Sequence, residues 1–443
     1  MEQSKRPKKA PGGTPRTNRI LLSHSLSPLC REVVLSRTLC EVRSGPEYVL
    51  RSYSFSRNNT FRLLQFHYAD ASCTSPQWAV MARGKVRVRG RSWVTPGGAE
   101  SDYSLHRVTT MSRQHRSHGA DEEIDCADGV LPASFHELQL LRVQRRPAAA
   151  PDSRASRLEL LSGDVHSRPE MRLSYRPTAY QPPLLRTDQI ARASERSPPH
   201  LPARARLPVF LSGEWVSPRC EVRPLGMFVK RRLRFSQQRG RKWAGEFRYF
   251  SDSSCSIPTI TTHAAGRFST GRESAIVQAG TELEFRVDSA ALAVHDDGIV
   301  NALNTVQNGR CGSRNQWDID ELQDVTPTGG CEALGVTVPI IERELLKIDM
   351  DRTGNSLLYL GQVDTERGGV DTGGDTVRPT AYQSPLVQCR STEDVLILTH
   401  HIHRSMPPSV AMSNQLFPIP HARTAPNHVG KVMLTPWNLK SEL

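Results

Sequence analysis

A chain of 443 residues has room for two or three domains, each able to bury its own core. Its formal net charge of +13 favours an anionic partner such as nucleic acid, a sulfated glycan or a lipid headgroup. Nine cysteines are too few for a disulfide-dense miniature fold; they suit a few bridges supporting ordinary cores in an oxidising compartment, and the odd count leaves a thiol over.

The first segment, 1–38, is basic and Pro/Gly-bearing, and is expected to be disordered. It shows no apolar stretch of secretory-signal length before Leu21, and no later run approaches the length of a membrane helix. Next, 48–56 and 60–68 are β-branched and aromatic runs around Arg57-Asn58-Asn59, the pattern of a hairpin. Asn58-Asn59-Thr60 is the one N-x-[ST] sequon, so Asn58 is the candidate glycosylation site. Short runs at 78–82, 85–91, 102–109, 135–143 and 158–165 follow, each bounded by Gly, Pro or polar clusters. About seven strands with short connections predict an antiparallel meander that closes into a barrel or stacks as a sandwich.

Most of this pattern then occurs a second time. Cys40-Glu41-Val42-Arg43 returns as Cys220-Glu221-Val222-Arg223. Tyr68-x-Asp70-x-Ser72-Cys73-x-x-Pro76 returns as Phe250-x-Asp252-x-Ser254-Cys255-x-x-Pro258, and the register holds through Gly84/Gly266, Gly98/Gly280 and Glu100/Glu282. Arg176-Pro177-Thr178-Ala179-Tyr180-Gln181 returns as Arg378-Pro379-Thr380-Ala381-Tyr382-Gln383. The chain is therefore a duplication, with modules at 39–186 and 211–389, a linker at 187–210 and a divergent tail at 390–443 expected to be disordered. Hairpin 227–235/242–250 of the second module matches that of the first.

Period-two alternation assigns faces. Lys85, Arg87, Arg89 and Arg91 share one side of a strand and Val86 and Val88 the other; Lys230, Arg232 and Arg234 stand opposite Val229, Leu233 and Phe235. The cations are read as a solvated outer row, with a sulfated-glycan or membrane-surface patch as the alternative. Equivalent cysteines in two copies should form equivalent bonds, Cys40 with Cys73 and Cys220 with Cys255, and Cys311 with Cys331 is a looser third pair. Spacing alone does not settle connectivity, and buried free thiols are the alternative. The repeated Arg-Pro-Thr-Ala-Tyr-Gln block is expected to be an ordered brace that buries the rings of Tyr180 and Tyr382 and hydrogen-bonds their hydroxyls. Glu100 and Glu282 are read as turn or strand-start residues. His400-His401-x-His403 lacks a partner carboxylate and is not expected to hold a metal, and no cofactor is implied. Hydrolase, phosphate-binding and metalloprotease signatures are all missing, which argues against an enzyme, and no nucleic-acid-binding module is present.

The segments Cys-Glu-Val-Arg-Ser-Gly-Pro-Glu (40–47), Asn58-Asn59-Thr60-Phe61, Arg83-Gly84-Lys85-Val86-Arg87, His136-Glu137-Leu138-Gln139-Leu140 and the two Tyr-Gln-x-Pro-Leu blocks resemble the adenomatosis polyposis coli down-regulated 1 family over residues 39–389. The resemblance implies a pair of lipocalin-like antiparallel barrels. It also implies an extracellular, membrane-tethered glycoprotein that inhibits Wnt signalling by contacting Wnt and its low-density-lipoprotein-receptor-related co-receptor. An eight-stranded barrel can enclose one small ligand, so the Wnt acyl group is the expected cargo. The expected cavity residues are Tyr53, Phe55, Phe66, Tyr68, Trp78, Val86, Val88 and Trp93. The first module departs from the family where Gly213-Glu214-Trp215-Val216 precedes the second anchor: 31–39 has no such lead-in, and an edge strand is expected to be missing. A general lipid-binding barrel, or a truncated, non-secreted relative without function, are the alternatives.

Overall fold

The computed structural model describes residues 32–36, 39–112, 123–125, 135–147, 156–186, 197–202, 205–237, 240–305, 310–313, 315–351, 354–362 and 378–389. The chain forms two compact units, Met1–Arg204 with Pro224–Gly226, and Ala205–Arg223 with Met227–Leu443. The tail at 390–443 and the histidines at 400–403 lie outside the described residues, as does most of 1–38.

In the first unit the strands are β1 (Glu32–Ser36), β2 (Glu41–Arg43), β3 (Glu47–Ser56), β4 (Thr60–Tyr68), β5 (Pro76–Arg91), β6 (Ala99–Ser112), β7 (Glu123–Asp125), β8 (Leu140–Pro147), β9 (Ser156–Ser162) and β10 (Leu184–Arg186). All their pairings are antiparallel. The path runs β3-β4-β5-β6-β8-β9-β10-β1, and β1 pairs with β3 as well as β10, so the path returns on itself. The β6–β8 seam is narrow, joined at Ala99/Leu141 and Glu100/Leu140, as are the β9–β10 and β10–β1 pairings, with two residue pairs each.

The second unit repeats this plan with β11 (Gly213–Val216), β12 (Glu221–Arg223), β13 (Met227–Ser236), β14 (Lys242–Phe250), β15 (Pro258–Phe268), β16 (Arg272–Glu273) and β17 (Thr281–Val294). Helix α1 (Asp297–Thr305) and the short strands β18 (Leu322–Asp324), β19 (Gly330–Cys331) and β20 (Val336–Thr337) precede β21 (Ile340–Met350), β22 (Ser356–Tyr359) and β23 (Leu386–Gln388). Its path closes through β11, which pairs with both β13 and β23. The molecule is all-β with two antiparallel barrels, as expected.

Several expectations need correction. The missing edge strand is present: β1 lies in the segment expected to be disordered, and Leu35 pairs with Tyr53 as Trp215 pairs with Leu233. Ladder hydrogen bonds come from the backbone, so the strand forms without the tryptophan, and Leu35 fills the same buried place. The runs 78–82 and 85–91 are one strand, β5. Gly84, which looked like a break, sits at a bulge where a Cβ would strike the Ser104 carbonyl and the Phe61 ring. The run 135–143 begins with a single 3₁₀ turn, His136–Gln139, before β8. Within the expected linker, 197–202 packs on the first unit: Tyr68 Oη donates to the Pro199 carbonyl, and Leu201 N donates to Cys73 O at 3.3 Å.

Disulfides join Cys40–Cys73, Cys220–Cys255 and Cys311–Cys331. The first two close loops of 33 and 35 residues, for which chain-entropy models give about 3–4 kcal/mol each. Each staples the start of a barrel to the turn after β4 or β14. Cys73 and Cys255 adopt left-handed φ of 54° and 53°. Asp70 holds the first turn by accepting from Thr74 N and Ser75 N, and Asp252 holds the second through Ser256 N and Ile257 N. Cys389 is a free, exposed thiol.

The repeated Arg-Pro-Thr-Ala-Tyr-Gln block explains several other repeated residues at once. Arg176 pairs with Glu100 at 2.6 Å, and Arg378 with Glu282 at 3.3 Å. Pro177 lies against Gly163 and Pro379 against Gly361, closely enough that a Cβ on either glycine would collide. Gln181 Nε2 donates to the Gly163 carbonyl, and Gln383 does the same to Gly361. The Tyr180 and Tyr382 hydroxyls face Gly98 and Gly280. The block thus clamps the end of β9 or β22 to the start of β6 or β17. Gly98→Ala would force Tyr180 out of place and is expected to destabilise the first unit by about 1–3 kcal/mol in urea titration. Gly280→Ala, whose Cβ would meet Leu345 Cδ1 at 2.7 Å and the Tyr382 hydroxyl at 3.0 Å, against 2.1 Å to the Tyr180 hydroxyl at Gly98, is expected to cost less.

Candidate functional site

Tyr53, Phe55 and Val86 lie in the interior of the first barrel with Phe61, Leu63, Val80, Leu138 and Leu160, and Trp78 packs against this cluster. Trp78 also stacks on His67 at 3.6 Å. Phe66 and Tyr68 belong to a different cluster with Tyr48, Leu50 and Met81, next to Leu201. The register explains the separation. Tyr53 and Phe55 face Leu63 and Phe61 across the β3–β4 ladder, whereas Phe66 and Tyr68 face Leu50 and Tyr48, one residue out of phase and hence on the other face. Val88 is 38% and Trp93 77% exposed, because the β5–β6 hairpin continues past the end of β4. The eight expected cavity residues therefore split into four that meet inside, two on the outer face and two in solvent. Asn58 is exposed on the β3–β4 turn, its Oδ1 accepting from Thr60 Oγ1 at 2.6 Å.

The interior also holds a charge network that alternation did not reveal. Arg51 has 0% exposure. Its Nε and Nη2 donate to the two Glu41 carboxylate oxygens at 3.0 and 3.1 Å, and its Nη1 donates to Glu137 Oε2 at 2.9 Å and Ser162 Oγ at 3.1 Å. Arg43 Nη2 reaches the same Glu137 oxygen at 2.9 Å. Tyr53 Oη and Gln181 Nε2 donate to Glu137 as well. Two guanidinium groups thus meet two carboxylates with no net charge, which is what makes their burial tolerable. The 3₁₀ turn is what plants Glu137 at this point.

Burial alone would push the Glu137 carboxyl up, but Arg51 and Arg43 hold it down at about 2. Burial, reinforced by Arg43 and Arg172, lowers His67 to about 3, so the imidazole stacked on Trp78 is neutral. In the second barrel Arg231 occupies the position of Arg51. It makes a fork to Glu221 at 2.9 and 3.1 Å and donates to Ser384 O at 2.9 Å. Arg231 thus interrupts the apolar wall expected from Val229, Leu233 and Phe235. The signal that could have found it was the repeat itself: Arg51 and Arg231 stand at matching positions, eleven residues after Cys40 and Cys220.

The second unit carries a groove of about 470 Å³ bounded by Arg232 and Arg234 of β13, Ala244–Glu246 of β14, His263–Ala265 of β15 and Ser289–Ala291 of β17. Its floor is formed by small residues. These are outward-facing: Ala244, Ala265, Ser289 and Ala291 stand where the first barrel has Arg62, Arg83, Arg107 and Thr109. Arg232 and Arg234 share one carboxylate, Glu214. Among the described residues no group of three or more His, Cys, Asp or Glu could hold a metal ion.

A family model described as adenomatosis polyposis coli down-regulated 1 matches residues 18–119, 112–202 and 203–410, and so spans most of the chain.

The network predicts a measurable acid sensitivity. Glu137 is held below the ordinary 4.5, so its contribution is complete above that value and is lost as pH falls towards about 2. Glu137→Gln leaves Arg43 and Arg51 under-compensated and is expected to cost about 3–5 kcal/mol at neutral pH. Urea titration at pH 7 and pH 3 checks both statements, the difference between variant and parent shrinking at the lower pH. Half-buried Glu344 behaves oppositely. Burial and neighbouring Glu342 push it up from 4.5 to about 8, so stability falls as pH rises through that window. Glu344→Gln is expected to flatten the decline in melting temperature between pH 5 and pH 9.

Proposed function

Because the chain belongs to the adenomatosis polyposis coli down-regulated 1 family, which ties it to Wnt signalling, we propose that it is an extracellular, Wnt-binding negative regulator of that pathway. In this reading a barrel takes the Wnt acyl chain against its apolar interior, and the outer surface contacts the low-density-lipoprotein-receptor-related co-receptor. The observation that carries the proposal is the interior of each barrel, a continuous apolar cluster drawn from strands all around the closed path. Burial is worth about 0.8 kcal/mol per methylene, so a long acyl chain binds firmly with few polar contacts. In the first barrel Tyr53, Phe55, Trp78 and Val86 form the apolar lining, and the Arg51–Glu137 network marks where it ends. Disulfides at both anchors and exposed Asn58 suit an oxidising, glycosylating compartment.

Full-chain protein, titrated with acylated Wnt and with the same Wnt lacking its acyl group, is expected to bind the acylated form at least about a hundredfold more tightly. It is also expected to reduce Wnt-driven reporter transcription. Equal binding of the two forms removes acyl capture. Absence of any Wnt association, together with lipid extracted from the purified protein, replaces the inhibitor with a general lipid-binding barrel.

A further inference from the structure

The β5–β6 hairpin extends beyond its sheet. β4 stops pairing at Thr60 opposite Lys85, whereas β5 and β6 remain paired out to Arg91 opposite Ala99. Along this ribbon Arg83, Lys85, Arg87, Arg89 and Arg91 are all exposed. Arg83 faces Arg107 directly across the ladder, an arrangement of like charges that works against the sheet. Asp102 pairs with Arg89. Arg83, Lys85, Arg87 and Arg91 make no ion pair among the described residues.

At the end of the ribbon stands Trp93, 77% exposed, with Val88 also in solvent. The loop that carries the indole is well ordered by its own bonds: Ser92 N donates to Gly98 O at 3.0 Å, Gly98 N to Thr95 O at 2.9 Å, and Thr95 N to Ser92 Oγ at 3.2 Å. A large apolar ring is thus held out in water on a fixed support.

The second copy shows that the fold does not require these features. At the positions matching Lys85, Arg87, Arg89, Arg91 and Trp93 it carries Arg267, Ser269, Gly271, Glu273 and Ala275. Arg267 and Arg286, which face each other there, share Asp288. One copy has neutralised its ribbon; the other keeps the charge and adds a tryptophan.

We propose that the projecting β5–β6 hairpin docks on an anionic lipid surface, with Trp93 entering the interfacial layer and Lys85, Arg87 and Arg91 pairing with headgroups. Tryptophan favours the membrane–water boundary, and basic residues beside an apolar anchor supply the second signal that stable surface binding needs. A soluble polyanion would satisfy the cations and leave Trp93 and Val88 in water, whereas a lipid interface takes both.

The test is co-sedimentation of the full chain with phosphatidylcholine vesicles with and without phosphatidylserine, at low and high salt. Binding is expected with phosphatidylserine and to weaken with salt. Lys85→Ala and Arg87→Ala are each expected to reduce it about fivefold, and Trp93→Ala about tenfold or more. All three side chains are exposed, so melting temperatures should match the parent and exclude a folding defect. Equal binding to vesicles with and without phosphatidylserine, or a Trp93→Ala protein that binds as the parent does, overturns the proposal. Binding to heparin that depends on the cations but not on Trp93, with no vesicle binding, assigns the ribbon to a sulfated glycan instead.

Discussion

Each barrel is fastened at the same point, by a buried guanidinium on its first long strand. Arg51 ties β3 to Glu41 on β2, to Glu137 on the 3₁₀ turn and to Ser162 at the end of β9. Arg231 ties β13 to Glu221 on β12 and to the backbone just before β23. A closed antiparallel barrel must bring the two ends of its strand order together. Nonpolar contacts alone set that registry weakly, whereas a fork of charged hydrogen bonds is satisfied in one geometry. The duplicated Cys-Glu-Val-Arg anchor thus does two jobs, supplying both the cysteine of the staple and the carboxylate of the fork.

The brace at the other side of the seam is built from steric fit. Pro177 on Gly163 and Tyr180 on Gly98 hold the last segment of the first barrel where β6 meets β8 by only two residue pairs. The same contacts recur through Pro379 and Tyr382. Glycine is needed at these places because another side chain occupies the space a Cβ would take. Salt bridges from Arg176 and Arg378 to Glu100 and Glu282 complete the clamp.

Around these shared fastenings the two copies have diverged. The first keeps large interior side chains, Tyr53, Leu63 and Val108, where the second has Leu233, Gly245 and Ala290. On the outer face the second carries Ala244, Ala265, Ser289 and Ala291 in place of Arg62, Arg83, Arg107 and Thr109, and presents a groove there. The first also retains a strongly basic ribbon tipped by Trp93, in which Asp102 pairs with Arg89. Duplication allows such division, since one copy can change while the other preserves the original arrangement.

Much of this was legible in the residues alone. Two modules, strand content, the cysteine staples and the outward basic rows all follow from repetition and from period-two alternation, which are properties of the chain. Alternation could not say that Phe66 and Tyr68 lie on the opposite face from Tyr53 and Phe55. That depends on the register across the β3–β4 turn, where a single residue exchanges the faces. Nor could it show that Val88 and Trp93 stand beyond the end of β4, since the length of a neighbouring strand decides whether an inward-facing residue has anything to pack against. The buried arginines were hidden for a related reason. A charged residue in a strand normally marks the solvent side, and only three-dimensional convergence of Glu41, Glu137 and Ser162 makes the interior a tolerable place for Arg51. Sequence by itself determined the fold class, the duplication and the family; tertiary structure decided which side chains meet, because closing a barrel joins strands far apart in the chain.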